Sequence, residues 1–321
     1  MDGEQISSQI YAYYVYCAYE MYGYYELIDP EVPLKKQEIP VKDKNGEITY
    51  VRADKQINER ALEQTLYLHE LKKQFDAAGL TISEERTKEL KELAAYEYES
   101  YAGLFEHLGI TEETVLLASV GGMFTEMEDA LFLHTFGTGG ENEVPQDEFL
   151  DYYNKNYISY AYVSQKLLDA QGIPLDEAGK DAIRAEMKGI VNKVENGSVD
   201  LEQLAIDYIS AYSKDNTCGK GGKNLSTVTI GESELMQSLE QMSFGDVMYV
   251  EIKNTGYVIK KYDLLKVGFL DKEENRISVL KNMKYDDWNA QLASKAMENY
   301  TLNGSAFRKY SINNINVEDV A

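Results

Sequence analysis

A chain of 321 residues with 44% hydrophobic content can bury a substantial core and is long enough for about two domains. Its 55 acidic against 32 basic side chains give a formal net charge of −23, which repels nucleic-acid phosphate and anionic headgroups and suits basic, unfolded polypeptide partners better. No apolar run reaches the roughly 18 residues of a membrane-spanning helix, and residues 1–28 lack the basic start and small-residue cleavage site of a leader. The chain therefore reads as folded and soluble, either cytosolic or a mature fragment whose leader has been removed.

The acid is unevenly spread: residues 1–156 hold 13 Lys/Arg against 31 Asp/Glu, 157–266 hold 12 against 16, and 267–321 hold 7 against 8. Cys17 and Cys218 are the only cysteines, too few for a disulfide framework, so two inert thiols are expected and a single bridge is the other option.

In chain order, residues 5–28 have a helical period, with Ile6, Ile10, Tyr13, Cys17, Met21, Tyr24 and Ile28 on one stripe and Tyr11, Tyr14, Ala18, Tyr22 and Tyr25 beside it. A helix apolar over so wide a face must be clasped by several partners or leave aromatic surface exposed; a core helix whose Tyr hydroxyls reach the surface is the plainer reading. Residues 29–52 form a loop with a flap, in which Asn45-Gly46 offers the φ > 0 turn of a hairpin. A helix from Lys55 to Gly79 follows. Ser83 caps a third helix through about His107, and Thr111 caps a fourth reaching about His134 with a kink at Gly121-Gly122. Residues 136–144 are a loop, and 146–156 a short helix leading into the next domain.

ISYAYV (158–163) alternates as a strand does. Helices follow at 179–195, stopped by Gly197, and at VDLEQLAIDYISAYS, capped by Asp200. A Gly-rich crossover (KDNTCGKGGKNLSTVTIG), a short helix ending at Gly245 and a terminal hairpin (YVEIKNTGYVIKKYDLL) complete a βααβαββ order. A last helix is expected from about Lys272 to Tyr300, closed by Asn303-Gly304, with a tail (YSINNINV) alternating like a short strand. Since so long a helix needs a groove, 267–321 is expected to fold back on 1–156, leaving 157–266 as an insert.

Other chemistries find little support. CGKGGKN departs from a phosphate loop at Thr217 and Asn224. His69, His107 and His134 have no His or Cys partner at ligand spacing, so no metal is expected, and no His lies near a Ser or Cys as a hydrolase triad needs.

The 157–266 order resembles the parvulin-type peptidyl-prolyl isomerases, and the whole chain resembles extracytoplasmic foldases of the PrsA and SurA type. The matching pieces are DLEQLAIDYISAYSKD, the double glycine Gly221-Gly222, SLEQMSFGDV and NTGYVIKKYD, with DGEQIS and PQDEFLDYYNKNY upstream. The resemblance implies an α+β protein: a helical chaperone-like domain (1–156 with 267–321) and an inserted parvulin-like domain with a four-stranded antiparallel sheet (157–266). It further implies an extracytoplasmic, cell-surface or membrane-anchored folding factor, its anchor carried on a removed leader. The implied partners are unfolded or proline-containing polypeptides, without nucleic acid, metal or other cofactor; a homodimer is left open.

An isomerase must lower a barrier of about 18–20 kcal/mol by gripping proline in an apolar cup and stabilising the twisted amide. Where the family carries histidines this chain aligns Tyr160 on the first strand and Val258 on the last; Asp215 takes the family's acidic position. The cup aligns with Leu235, Leu239 and Met242, with Leu225 after the double glycine. As plain residues, the apolar set could equally be core, Tyr160 a packed strand residue and Asp215 a loop cap. Two functions thus stand side by side: an isomerase with both family histidines replaced, or a catalytically inactive parvulin-fold holdase or peptide-binding module.

Overall fold

The structure, a computed structural model, describes residues 6–42, 46–214, 219–298 and 300–315. It is α+β and divides into two compact units, 1–143 with 284–321, and 144–283.

The first unit begins with α1 (Ser8–Tyr24), whose N-cap Ser7 accepts a hydrogen bond from the Gln9 amide. A two-stranded hairpin, β1 (Glu38–Lys42) and β2 (Ile48–Arg52), follows. Gly46 has φ +83°, as a tight turn needs; Asn45, its expected companion, lies outside the described residues. Helices α2 (Ala53–Ala77), α3 (Glu84–Ser100), α4 (Ala102–Leu108), α5 (Glu112–Ala118) and α6 (Met123–Phe136) complete the N-terminal part.

Two helices expected to run unbroken are each divided. The third stops at Tyr101, which is extended in φ (−124°) and separates α3 from α4. At Gly121-Gly122 the chain leaves the helix altogether, because Gly122 is extended and sits hard against the Leu116 carbonyl, where no side chain fits.

α1 is clasped on several sides, and its phenols are bonded inside the unit instead of reaching the surface. Tyr11 donates to Asn58 Oδ1 (3.0 Å), Tyr13 to Glu97 Oε1 (2.9 Å) and Tyr14 to the Ala118 carbonyl (3.0 Å). Only its C-terminal end leaves aromatic surface, Tyr24 and Tyr25 being 83% and 63% exposed. Cys17 makes no disulfide, and burial pushes its thiol up to about 12; Cys218 lies outside the described residues.

The C-terminal residues of this unit pack on the same helices. Trp288 meets Phe132 edge-on at 5.4 Å, and Tyr67 and Tyr285 both donate to the buried Glu128. Among the described residues the tail is not a strand: Asn303 Oδ1 accepts from the Ser305 amide (3.2 Å) and starts a short helix, Gly304–Lys309. Its buried residues beyond, Ile312 and Ile315, are three apart, the spacing of a turn and not of a strand.

In the second unit α7 (Gln146–Asn156) runs into β3 (Tyr157–Lys166), followed by α8 (Glu177–Glu195), α9 (Leu201–Lys214), β4 (Lys220–Thr229), α10 (Glu234–Glu240), β5 (Val247–Ile252), β6 (Thr255–Tyr262) and the start of α11 (Glu273–Ala296). The four strands form one antiparallel sheet in the order β4-β3-β6-β5. From Lys220 on, what the sequence suggests as a Gly-rich crossover is the strand β4; residues 215–218 lie outside the described residues. Gly222 makes that possible: an added Cβ would sit 2.8 Å from the Ala205 carbonyl, so α9 can lie directly on the strand only if residue 222 has no side chain. α8 and α9 cover one face, burying Ala161, Val163, Met187, Leu201, Ala205 and Val258; α10 covers part of the other. α7 and the first turns of α11 belong here as well, joined where Tyr152 donates to the Asn282 carbonyl (2.8 Å) and Phe269 stacks on Tyr153.

Among the described residues no helix is long and apolar enough to cross a membrane.

Asp54 ties the C-terminal residues of the first unit to the start of α2. It is 2% exposed, takes Arg52 at 2.7 Å and Asn313 at 2.8 Å, and these hydrogen bonds, Arg52's foremost, hold its carboxyl below the usual carboxylate range. A depressed carboxyl stabilises the folded state above the unfolded value, near pH 3.9, and that contribution fades as pH falls through the lower folded value. Asp54→Ala is expected to cost about 1–3 kcal/mol at neutral pH. Thermal unfolding followed from pH 7 to pH 2 should show the gap between wild type and variant closing only below about pH 4.

Candidate functional site

Side chains alternate along a strand, so the register of the sheet decides which residues can share a ligand. β3 pairs Tyr160 with Lys261, Tyr162 with Ile259 and Val163 with Val258. Ile158, Tyr160, Ile259, Met236, Leu239 and Met242 pack together on the α10 face, with Tyr162, Tyr257, Val228, Leu235, Met248 and Val250 half-buried around them. α10 is only seven residues long, so it covers one end of this face and leaves the tyrosine end half-open.

Three rings compose that end. Tyr160 and Tyr162 stack at 6.3 Å with 12° between planes, and Tyr257 meets Tyr162 edge-on at 5.6 Å and 71°, both favoured aromatic geometries. The Lys223 ammonium lies 6.0 Å from the Tyr160 ring centre, within reach of its π-face. Burial raises the pKa of Tyr160 and Tyr162, with the neighbouring phenols Tyr162 and Tyr257 respectively adding to it. Both are therefore neutral hydroxyls at pH 7, able to donate a hydrogen bond. Among the described residues none takes up a hydroxyl of this trio. The chemical capacity is that of an aromatic platform with three hydroxyls and one nearby cation, fit to hold an extended chain and a flat apolar ring.

Of the residues singled out from the sequence, Tyr160, Leu235, Leu239 and Met242 are brought into one cluster. Within it Leu239 is fully buried and Tyr160 is 5% exposed, whereas Leu235 is half-buried. Leu225 is half-buried at the irregularity where β4 shifts register against Tyr160 and Tyr162, and it belongs to neither cluster. Val258 requires correction: it is 0% exposed on the opposite face, beneath α8 and α9. Tyr160 and Val258 cannot serve one ligand: Val258 pairs with Val163, which lies three positions from Tyr160 on β3, so the two side chains point to opposite sides of the sheet. Asp215, like Cys218, lies outside the described residues. Tyr162, Tyr257 and Lys223 complete this face, though no motif in the sequence marks them. The signal that could have found them was the two-residue step from Tyr160 to Tyr162 and the neighbour position to Val258.

No family model matches the chain, and no curated protein matches it. The chain is similar to two solved PrsA structures. PrsA from Bacillus subtilis is 16% identical with a TM-score of 0.32, the match covering 87% of this chain and 98% of that one. The foldase protein PrsA from Streptococcus pneumoniae is 14% identical with a TM-score of 0.34, covering 86% and 99%.

Because residue 258 faces the interior, Val258→His does not add a group to the tyrosine face. It places an imidazole in an apolar cluster, where an unpaired polar group costs about 1–3 kcal/mol. Denaturant unfolding should register that loss, and ligand binding at the tyrosine face should be unchanged for the folded fraction; a variant as stable as wild type would contradict this placement.

Proposed function

We propose that the chain is an extracytoplasmic folding factor that binds unfolded, proline-containing polypeptide, and that the tyrosine face of the 144–283 sheet is where its parvulin-like unit grips the client. The observation carrying this reading is the platform beside α10 in which half-buried Tyr162 and Tyr257 pack around the buried Tyr160. Aromatic faces pack against proline rings and extended chain without demanding a particular sequence, and neutral phenols can donate to the client's carbonyls. The order β3-α8-α9-β4-α10-β5-β6 supports the parvulin-like description of the unit.

The same reading assigns the 1–143 and 284–321 unit the helical, chaperone-like role. Its strongly acidic composition suits clients with exposed basic segments. Attachment to the cell surface would come through a leader and lipid anchor outside this sequence, and no metal or other cofactor enters the function.

Within this reading, holding is favoured over catalysis. Isomerisation calls for groups that stabilise the twisted amide more than the planar one, and the two positions aligned with the family's histidines are on opposite faces, one of them a buried valine. Tyr160, with Asp215, is the pair through which any residual acceleration would act, Leu235 and Met242 flanking the ring that they hold.

Tyr162→Ala combined with Tyr257→Ala is expected to weaken binding of a proline-containing unfolded client by about tenfold, measured by fluorescence titration and by suppression of client aggregation. Wild-type protein is expected to leave the cis/trans relaxation of a short X-Pro peptide unaccelerated. Unchanged client binding in the double variant would remove the tyrosine face from the function, and clear acceleration by wild type, abolished by Asp215→Ala, would establish the isomerase in place of the holdase.

A further inference from the structure

The sheet of the second unit has two edges, β4 and β5, and they are built differently. An exposed edge offers unpaired N–H and C=O groups to any extended chain, and natural sheets guard it with lysines, bulges and glycine-broken strands. β4 carries such devices: Lys220, Gly221, Gly222 and Lys223, and a register irregularity opposite Tyr160 and Tyr162. β5 (VMYVEI) has no proline, no glycine and no irregularity in its pairing with β6.

The free groups of β5 can be assigned. Ile252 and Thr255 flank a two-residue turn, so they form a hydrogen-bonded pair, and the alternation then makes Val250 and Met248 the other residues bonded to β6. The N–H and C=O of Val247, Tyr249 and Glu251 point outward, and no partner for them occurs among the described residues. Beside this edge lies a groove of about 620 Å³ that straddles the end of the strand, walled by Glu195 at the end of α8, by Ser238, Gln241 and Met242, and by Asp246 and Met248. That is room for the alternate side chains of an added strand, the part of strand addition that confers specificity.

The groove chooses its occupant by charge. Glu195 and Asp246 are both exposed acids on its wall, whereas Glu251, further along the edge, is already paired with Arg184 at 2.7 Å and leaves the selection to these two. A second copy of this chain would bring the same acids and another charge of −23 toward them. We infer that the outer edge of β5 is a strand-addition site for an extended, basic, β-prone segment of a client polypeptide, bound through the Val247, Tyr249 and Glu251 main chain with its basic side chains toward Glu195 and Asp246. The kind of partner rests on the folding-factor reading above; the site and binding mode are separate from the tyrosine face.

Amide hydrogen exchange followed by NMR on the full chain tests this with three probes of about eight residues: a peptide alternating Lys and Val, its Glu and Val counterpart, and a proline-rich peptide. At saturation the Lys–Val peptide is expected to slow exchange at Val247, Tyr249 and Glu251 by about tenfold or more, with the Glu–Val peptide binding more weakly. Glu195→Lys should weaken the Lys–Val peptide about threefold and strengthen its acidic counterpart, while Tyr162→Ala leaves both unchanged. The inference is overturned if these three amides are not slowed, if both charged peptides slow them alike, or if they are already slow in the free protein and speed up on dilution, which would make a second copy the occupant. Proline-peptide binding at Tyr162 and Tyr257 with a silent edge would sink this inference alone, whereas edge protection with a silent tyrosine face would support it and sink the client reading of that face.

Discussion

The second unit depends on the ladder that holds β3 between β4 and β6. Both edges of β3 are consumed by main-chain pairing, so its ten residues can vary only in which side of the sheet they face. Even positions 158, 160 and 162 go to the α10 side and odd positions 161 and 163 go where position 161 must be small and 163 branched to fit under α8 and α9. A slip of one residue would exchange Tyr160 and Tyr162 for Ala161 and Val163 and leave bulky phenols against helices that approach too closely to admit them. Gly222 sets that closeness, since α9 rests on the strand with no side chain between. The platform, its cover and the open β5 edge all follow from this one register.

In the first unit the organising constraint is polar. A helix as rich in tyrosine as α1 could bury its rings easily, but each ring brings a hydroxyl that must find a partner once water is excluded. Asn58, Glu97 and the Ala118 carbonyl supply three partners from three different elements, which fixes how α1 lies among its neighbours more sharply than apolar contact would. Asn58 Oδ1 also accepts from the Ile312 amide (3.0 Å), and Asp54, one turn earlier, holds Asn313. The start of α2 thus ties the first helix and the turns around Ile312 and Asn313 to one polar cluster.

Much of this was legible in the sequence where periodicity and punctuation coincide. Ser83 and Thr111 are helix caps in fact as in expectation, accepting from the amides of Arg86 and Thr114, and ISYAYV lies within the central strand. Reading failed where a local signal was overridden by distant partners. Gly221-Gly222 looks like loop, yet forms strand because β3 supplies a ladder and α9 leaves no room for a side chain at 222. The tail's Ile-x-x-Ile spacing was hidden by an equally good alternation of its neighbours, and only the Asn58 and Asp54 contacts, more than 250 positions away in sequence, select the turn. Val258 shows the limit of alignment by resemblance: a shift of one position is invisible in a motif and decisive in a sheet.

A face built of tyrosines is set apart from one built of histidines in what it can sense as well as in what it can do. An imidazole exchanges its proton near neutrality, so a site built on a pair of them alters its charge and its donors between pH 5 and 8. Tyr160 and Tyr162, with pKa values raised by burial above an already high ordinary value, keep their protons throughout that range. Their hydroxyls remain donors and their rings remain uncharged, so what this face offers an apolar ring or a carbonyl does not change across that range. Proton exchange near neutrality is a capacity that these two phenols do not supply.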